Sequence, residues 1–377
     1  MDNNILLSIA SIGVLGIACQ WFAWWVRIPS ILFLLTVGII VGPVLNLINP
    51  DALFGNLLFP FISLSVAVIL FEGSLTLKFE DIRGHGKTVS NLVSTGALIT
   101  WLIIGYSTYH LLNLPIELAF LFGAIVVVTG PTVIIPMLRT VRPNTKVANV
   151  LRWEGIVIDP LGALLAVLVF DFIISGQQNN ALGMIFLTFG KIIFSGLIIG
   201  FVSGWSIGEL LRKQYVPQYL RNIFTLISVF AIFVISEMIE SESGLLAVTV
   251  MGITMANMKD MDIDNILDFK ESLSVLLISA LFIILAARIE LHELIHVGWP
   301  AIILLGIIIF VARPISVFTS SIGSDLTVNE KLMVSWIGPR GIIAAAISSL
   351  FALRLEDAGY SEAALIVPLT FVIIIGT

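Results

Sequence analysis

The stretch LRWEGIVIDPLGALLA, residues 151–166, sets two carboxylates, Glu154 and Asp159, in a run otherwise fit for hydrocarbon. A charge there costs roughly 3 kcal/mol or more. Desolvation disfavours the ionised form, so Asp159 must carry a proton, hold a small cation or meet a buried base. A proton and a cation compete for the same oxygens, and that competition is all an exchange of one for the other requires. Loaded with either, such a site is neutral; bare, it is charged and costly to move. Glu72, in LFEGSL, is another acid within an apolar run and offers a second oxygen donor or a headgroup-level anchor. Thr129, in VTGPT, offers a hydroxyl or a carbonyl, and hard cations take oxygen ligands. Arg340, in GPRG, cannot shed its proton and needs a partner. Glu154 is the expected one, as a tether between two parts of the chain. Glu154 and Asp159 lie five residues apart, roughly 140° around a helix, so they face different neighbours.

The elements that position these residues are membrane helices. The chain has 377 residues, of which 58% are hydrophobic and 12% charged; a soluble domain carries roughly 25% charged. Spans need roughly 20 apolar residues each. Segments that qualify lie near 5–25, 28–47, 57–77, 88–112, 115–138, 150–174, 182–210, 221–239, 243–258, 271–288, 295–316, 329–353 and 361–377, thirteen in all. The expected fold is an all-α polytopic membrane protein, with 1–377 as a single transmembrane unit. MDNN has no basic residue before Arg27, so the first segment is expected to stay as a span. Alternate loops are rich in basic residues: Arg27; Lys78, Arg83 and Lys87; Arg139, Arg142 and Lys146; Arg212, Lys213 and Arg221; Lys259 and Lys270; Arg313. Those loops face the cytoplasm by the positive-inside rule, with the N-terminus outside and the C-terminus inside.

One offset reveals an internal repeat. A shift of 208 aligns VTGPTVII (128–135) with WIGPRGII (336–343), Gly130 on Gly338 and Pro131 on Pro339. The same shift aligns WEGIVIDPLG (153–162) with SEAALIVPLT (361–370). By the expected topology the two Gly-Pro helices run in opposite directions, so the repeat is inverted, with core elements at 115–174 and 329–377. Glycine adds freedom and proline removes a donor. Breaks at Gly130, Pro131, Gly338 and Pro339 therefore predict two interrupted, crossing helices whose ends bear partial charges in the membrane interior. Val367 stands where the repeat would place a second Asp159.

Other features read as structural. Cys19 lies in the first apolar run and reads as a small buried hydrophobe. Lys191 reads as snorkelling or paired, Asp171 and Glu209 as interfacial, and Arg313, before Pro314, as a cytoplasmic anchor. His85 and His110 sit near helix ends. HELIH (292–296) fits H-E-x-x-H, but a zinc site needs a third protein ligand, and residues 297–312 hold no Asp, Glu, His or Cys.

FEGSL (71–75), VVVTGPTVI (126–134), LRWEGIVIDPLGAL (151–164) and IGPRGIIAAA (337–346) together resemble the monovalent cation:proton antiporter-1 family, the NhaP-type exchangers and their NHE relatives. The resemblance implies a thirteen-helix fold, a homodimer and an elevator-like motion. It also implies that Asp159 binds the ion, that Thr129 and Glu72 help hold it, and that Glu154 and Arg340 are the family's buried pair. Gly130, Gly155 and Ile158 stand where the family carries Asp, often Ser, and Asn. Na⁺ and K⁺ both stay open as the cation. A cytoplasmic regulatory domain beyond 377 is compatible with the family.

The expected activity is secondary active exchange of Na⁺ or K⁺ for a proton across the plasma (bacterial inner) membrane, electroneutral and 1:1. No cofactor and no nucleic-acid partner is expected; lipid and a second copy of the chain are. A proton-coupled symporter of a small solute is the alternative, and an HExxH intramembrane protease a remote one.

Overall fold

The computed structural model describes residues 3–130, 133–134, 137–138, 141–175, 181–259, 264–289 and 291–377. Among these every regular element is a helix. In chain order they are α1 (Asn3–Val26), α2 (Ser30–Ile39), α3 (Pro50–Phe54), α4 (Leu58–Leu75), α5 (Gly86–Asn91), α6 (Ala97–Leu112) and α7 (Ile116–Val127). Then come α8 (Thr145–Ser175), α9 (Ala181–Arg212), α10 (Arg221–Ile239), α11 (Ser243–Ala256) and α12 (Asp264–Ala287). The series closes with α13 (Leu291–Ile307), α14 (Arg313–Ser320), α15 (Val328–Trp336), α16 (Ile342–Asp357) and α17 (Ile366–Gly376).

Each of the thirteen apolar segments holds helix. Seven helical runs of the described chain are long and apolar enough to cross a membrane; five more apolar helices are shorter. Three π-helical turns, Ile40–Val44, Leu92–Gly96 and Ile308–Ala312, extend α2, α5 and α13 at their C-terminal ends. The first contains Pro43, whose missing N–H a widened turn tolerates. The helical residues of HELIH precede Gly298, where φ is +58° and the helix α13 is broken; their side chains lie outside the described residues.

The chain forms two compact units. The first comprises Met1–Ile62, His85–Phe170 and Ile278–Thr377, the second Ser63–Gly84 and Asp171–Leu277. In the first, small residues let backbones approach closely, as membrane helices require when no water drives them together. A Cβ on Gly42 would lie 2.4 Å from the Ala287 Cα, and one on Gly123 3.0 Å from the Gly105 nitrogen. Trp101 Nε1 donates to the Phe120 carbonyl at 2.8 Å, fixing α6 on α7.

In the second unit α9 carries Gly196, Gly200, Gly204 and Gly208 at four-residue spacing, one face of a helix. Added Cβ atoms there would strike Leu246, the Ala247 carbonyl, the Met251 carbonyl and the Met258 sulfur of the α11 region at 2.9 Å or less. Lys191 sits on the exposed part of α9, and Glu209 ends that helix in salt bridges to Arg212 (2.7 Å) and Lys213 (3.1 Å). Cys19 is buried and unbridged.

Candidate functional site

The site lies in the first unit, where two helices stop among buried apolar residues. Helix α7 ends at Val127, and Val128 is extended (φ −61°, ψ 123°). Helix α15 ends at Trp336, Ile337 is extended (φ −93°, ψ 102°) and α16 starts only after Gly341. The two breaks touch: the Gly130 amide donates to the Pro339 carbonyl at 3.0 Å. Helical bonding resumes behind the first break, with the amides of Val133 and Ile134 donating to the Gly130 carbonyl. Pro131, expected to share in this break, lies outside the described residues.

A helix that stops in a low-dielectric layer leaves carbonyls without partners and a partial negative charge. Each break is met by a buried guanidinium. Arg340, 2% exposed, donates through Nη1 to the carbonyls of Val127 (3.0 Å) and Val128 (3.5 Å). Arg313, 6% exposed, donates through Nη2 to the Ile337 carbonyl at 3.1 Å. The arginine of one break region thus caps the other, and Arg313 caps the break next to Arg340. The Arg340 amide in turn donates to the Thr377 hydroxyl at 3.2 Å.

Arg313 corrects the expected pair. Its Nη1 donates to Glu154 Oε1 and its Nη2 to Oε2 at 2.9 Å, a two-point grip on a carboxylate 1% exposed. Arg340 lies within electrostatic range of Glu154 and Arg313, but its guanidinium donates to backbone carbonyls. Arg313, at the start of α14, meets both carboxylate oxygens at once, the two-point geometry in which a guanidinium binds a carboxylate most strongly. Reading Arg313 as a cytoplasmic anchor misses this role. The signal is present in the chain, since a charge inside the apolar run 295–316 needs a partner.

Asp159 stands in α8 immediately before Pro160, a proline inside the helix. That proline has no N–H for the Ile156 carbonyl. Asp159 is 1% exposed, and neither carboxylate oxygen has a hydrogen-bond partner among the described residues. The hydroxyl of Thr129, also 1% exposed, is likewise unpartnered. One close contact brings their elements together: a Cβ on Gly162 would lie 2.3 Å from Val128 Cγ2. Asp159 is one turn before Gly162 on that face, and Thr129 follows Val128 in the chain. Buried polar atoms are nearly always satisfied, and these three oxygens have no partner among the described residues. Glu72 is half-buried in α4 and belongs to the second unit.

The charged side chains buried among the described residues are Glu154, Asp159, Arg313 and Arg340. Glu154 and Arg313 cancel. Elsewhere, the His110 ring packs against Tyr106 and Tyr109 at 4.4 and 4.9 Å between centroids, and His85 precedes α5.

The family profile described as sodium/hydrogen exchanger, transmembrane, matches residues 6–377. The Na(+)/H(+) antiporter 1 of Methanocaldococcus jannaschii is 31% identical over 357 residues, 92% of this chain and 83% of that protein. The K(+)/H(+) antiporter NhaP of Alkalimonas amylolytica is 25% identical over 380 residues, 99% of this chain and 64% of that protein. The solved structure of the sodium proton antiporter MjNhaP1 from Methanocaldococcus jannaschii matches with a TM-score of 0.84 at 26% identity, covering 100% of this chain and 98% of that one.

Proposed function

The chain belongs to the transmembrane sodium/hydrogen exchanger family, a family of transporters and not of enzymes, and on that premise we propose that it exchanges one Na⁺ or K⁺ for one proton at Asp159. The observation that carries this reading is the buried Asp159 carboxylate with both oxygens unpartnered. A cation needs several oxygen ligands. The carboxylate, the Thr129 hydroxyl and the Ile156 carbonyl freed by Pro160 supply them. A proton on Asp159 removes the negative charge that holds the cation, so the two exclude each other.

One carboxylate carries one monovalent charge in either form. The loaded core therefore bears the same charge with a proton as with Na⁺ or K⁺, and the cycle moves no net charge. A bare, desolvated carboxylate with no protein partner is costly, so the empty site stays where water can reach it. The contact between Gly130 and Pro339 supports an inverted repeat of 115–174 and 329–377 moving as one carrier in an elevator-like cycle. Dimerisation, a plasma-membrane location and an outside N-terminus complete the proposal, the last on the distribution of basic loops. Gly130 and Ile158 present no polar side chains at the site, which lowers the number of fixed ligands and leaves room for the larger K⁺.

The test is exchange in proteoliposomes loaded with a pH dye and stepped with Na⁺, K⁺ or Li⁺, with the membrane voltage clamped at several values. Wild type should show cation-driven pH change indifferent to voltage, and Asp159→Asn none. Undiminished flux in Asp159→Asn would remove the assignment.

A further inference from the structure

Helices α9 and α10 of the second unit are joined by a short turn that exchange at Asp159 does not use. The apolar runs Leu187–Arg212 and Gln218–Ile239 are each long enough to cross a membrane, and only residues 213–217 join them. A link of that length, at most roughly 17 Å of chain, stays at the bilayer surface. Its backbone is built rather than loose. The Gln214 amide donates to the Leu211 carbonyl and the Tyr215 amide to the Leu210 carbonyl, both at 3.1 Å, with Gln214 left-handed at φ +58°. That pair of bonds closes α9 as a Schellman end. Pro217 then leads into a 3₁₀ turn, Gln218–Leu220, in which the Leu220 amide donates to the Pro217 carbonyl at 2.9 Å.

This ordered turn displays aromatic rings and open cationic donors together. Tyr215 and Tyr219 are 71% and 79% exposed. A ring with a polar tip settles where hydrocarbon meets headgroups. Trp205 is exposed on α9, two helical turns and about 10 Å before Arg212. Glu209 is shared by Arg212 Nη2 at 2.7 Å and Lys213 Nζ at 3.1 Å, one carboxylate between two cations. The Lys213 side chain is 53% exposed. An ammonium has three N–H donors, and the bridge to Glu209 uses one.

We propose that the α9–α10 turn binds the headgroup of an anionic phospholipid. The sign comes from the unequal bridge at Glu209, which leaves positive charge and exposed N–H donors on Lys213. The lipid source comes from position: the turn joins two consecutive spans, so phosphate of the bilayer lies level with it, and the exposed rings of Tyr215, Tyr219 and Trp205 offer apolar area that free phosphate cannot use. Lys213 supplies the charge-assisted donor, and the tyrosine hydroxyls supply further donors to phosphate or glycerol oxygens. A zwitterionic headgroup fits less well, because it carries its own cation towards Lys213. Arg212, Lys213 and Arg221 belong to the set of basic loops that the positive-inside rule sets against the anionic cytoplasmic leaflet. The inference stands apart from the exchange reading and uses none of the residues around Asp159.

Phosphatidylglycerol is the probe. The purified full chain, delipidated in detergent, is melted over titrations of phosphatidylglycerol, of phosphatidylcholine with the same acyl chains, and of inorganic phosphate at fixed ionic strength. Phosphatidylglycerol should raise the thermal midpoint saturably and at lower concentration than phosphatidylcholine, and phosphate should leave it unmoved. Lys213→Gln should weaken the apparent affinity for phosphatidylglycerol roughly fivefold, the effect of one basic residue at an anionic surface. Lys213→Arg should retain it, and the double variant Tyr215→Ser, Tyr219→Ser should weaken it. These positions are exposed, and the lipid-free midpoints check that the variants fold. Lys87→Gln, an exposed lysine of a different basic loop, should leave the affinity unchanged. Equal responses to the two lipids, a rise with phosphate alone, an undiminished response in Lys213→Gln, or equal weakening by Lys87→Gln overturns the proposal.

Discussion

The backbone amide of Gly130 donates to the backbone carbonyl of Pro339 at 3.0 Å, across 209 positions of sequence. One backbone bond therefore joins the two helix interruptions, and the carbonyls left open at the helix ends fall to side chains. Arg340 and Arg313 take that task, one per helix end.

The two arginines are predicted to differ in what their loss costs. Arg313→Ala leaves the Glu154 carboxylate buried and unpaired, a loss of about 3–5 kcal/mol. Arg340→Ala leaves neutral carbonyls unpaired, about 1–3 kcal/mol. Chemical denaturation of the purified variants measures both. In the Glu154→Ala background the Arg313→Ala penalty should shrink and the Arg340→Ala penalty should not. Equal behaviour of the two arginines would restore the pairing expected from sequence.

Gly162 is predicted to control the cation site through Val128. Gly162→Ala puts a methyl 2.3 Å from Val128 Cγ2, and the chain must shift next to Thr129. The half-saturating cation concentration should rise roughly tenfold for a displacement costing ~1.4 kcal/mol. Val128→Ala removes the obstacle, so the double variant should recover. If Gly162→Ala alone transports with unchanged affinity, the contact does not position the site.

Glu72 and Asp159 should separate in transport assays. Glu72→Gln is expected to retain exchange, because the proposed carrier is Asp159 alone. Asp159→Asn is expected to abolish exchange, because it removes the proton carrier. Complete loss of flux in a well-folded Glu72→Gln would make Glu72 a second obligatory carrier.

Acid stability should depend on Glu330, at the start of α15. Its carboxylate accepts from the Thr327 amide at 2.8 Å and from Asn144 Nδ2 at 2.7 Å. These bonds, the Thr327 amide foremost, hold its pKa below the usual 4.5. A depressed folded pKa means stability that is present above the unfolded value and lost as pH falls through the folded one. The wild-type thermal midpoint should therefore drop in acid more steeply than that of Glu330→Gln. Parallel curves for the two proteins would show that the capping bonds do not depend on ionisation.

Packing in the second unit can be tested apart from transport. Gly200→Ala drives a methyl to 2.4 Å from the Ala247 carbonyl. Backbone cannot rotate away, so the variant should lose about 1–3 kcal/mol. Gly190→Ala, with nothing within 4 Å, should be neutral or slightly stabilising by helix propensity. Similar melting of both variants would argue against close contact of α9 with α11.

The sequence by itself determined the solvent, the helices and the candidate carrier. Hydrocarbon tolerates only satisfied backbone, so long apolar runs had to be helices, and their bounds agree within a few residues for most segments. Asp159 was legible because a carboxylate between Ile158 and Pro160 has no structural excuse along the chain. The Gly-Pro offset located both breaks. The four glycines of α9 carry an equally legible signal of a packing face, in their four-residue spacing. What the chain order could not decide was which groups meet. Glu154 was expected to meet Arg340, and only the packed helices set Arg313 of α14 on its carboxylate. Burial and helicity are properties of a residue and its neighbours along the chain, whereas ion pairing in low dielectric depends on ångström-scale reach between helices far apart in sequence, and that reach exists only once the helices have packed.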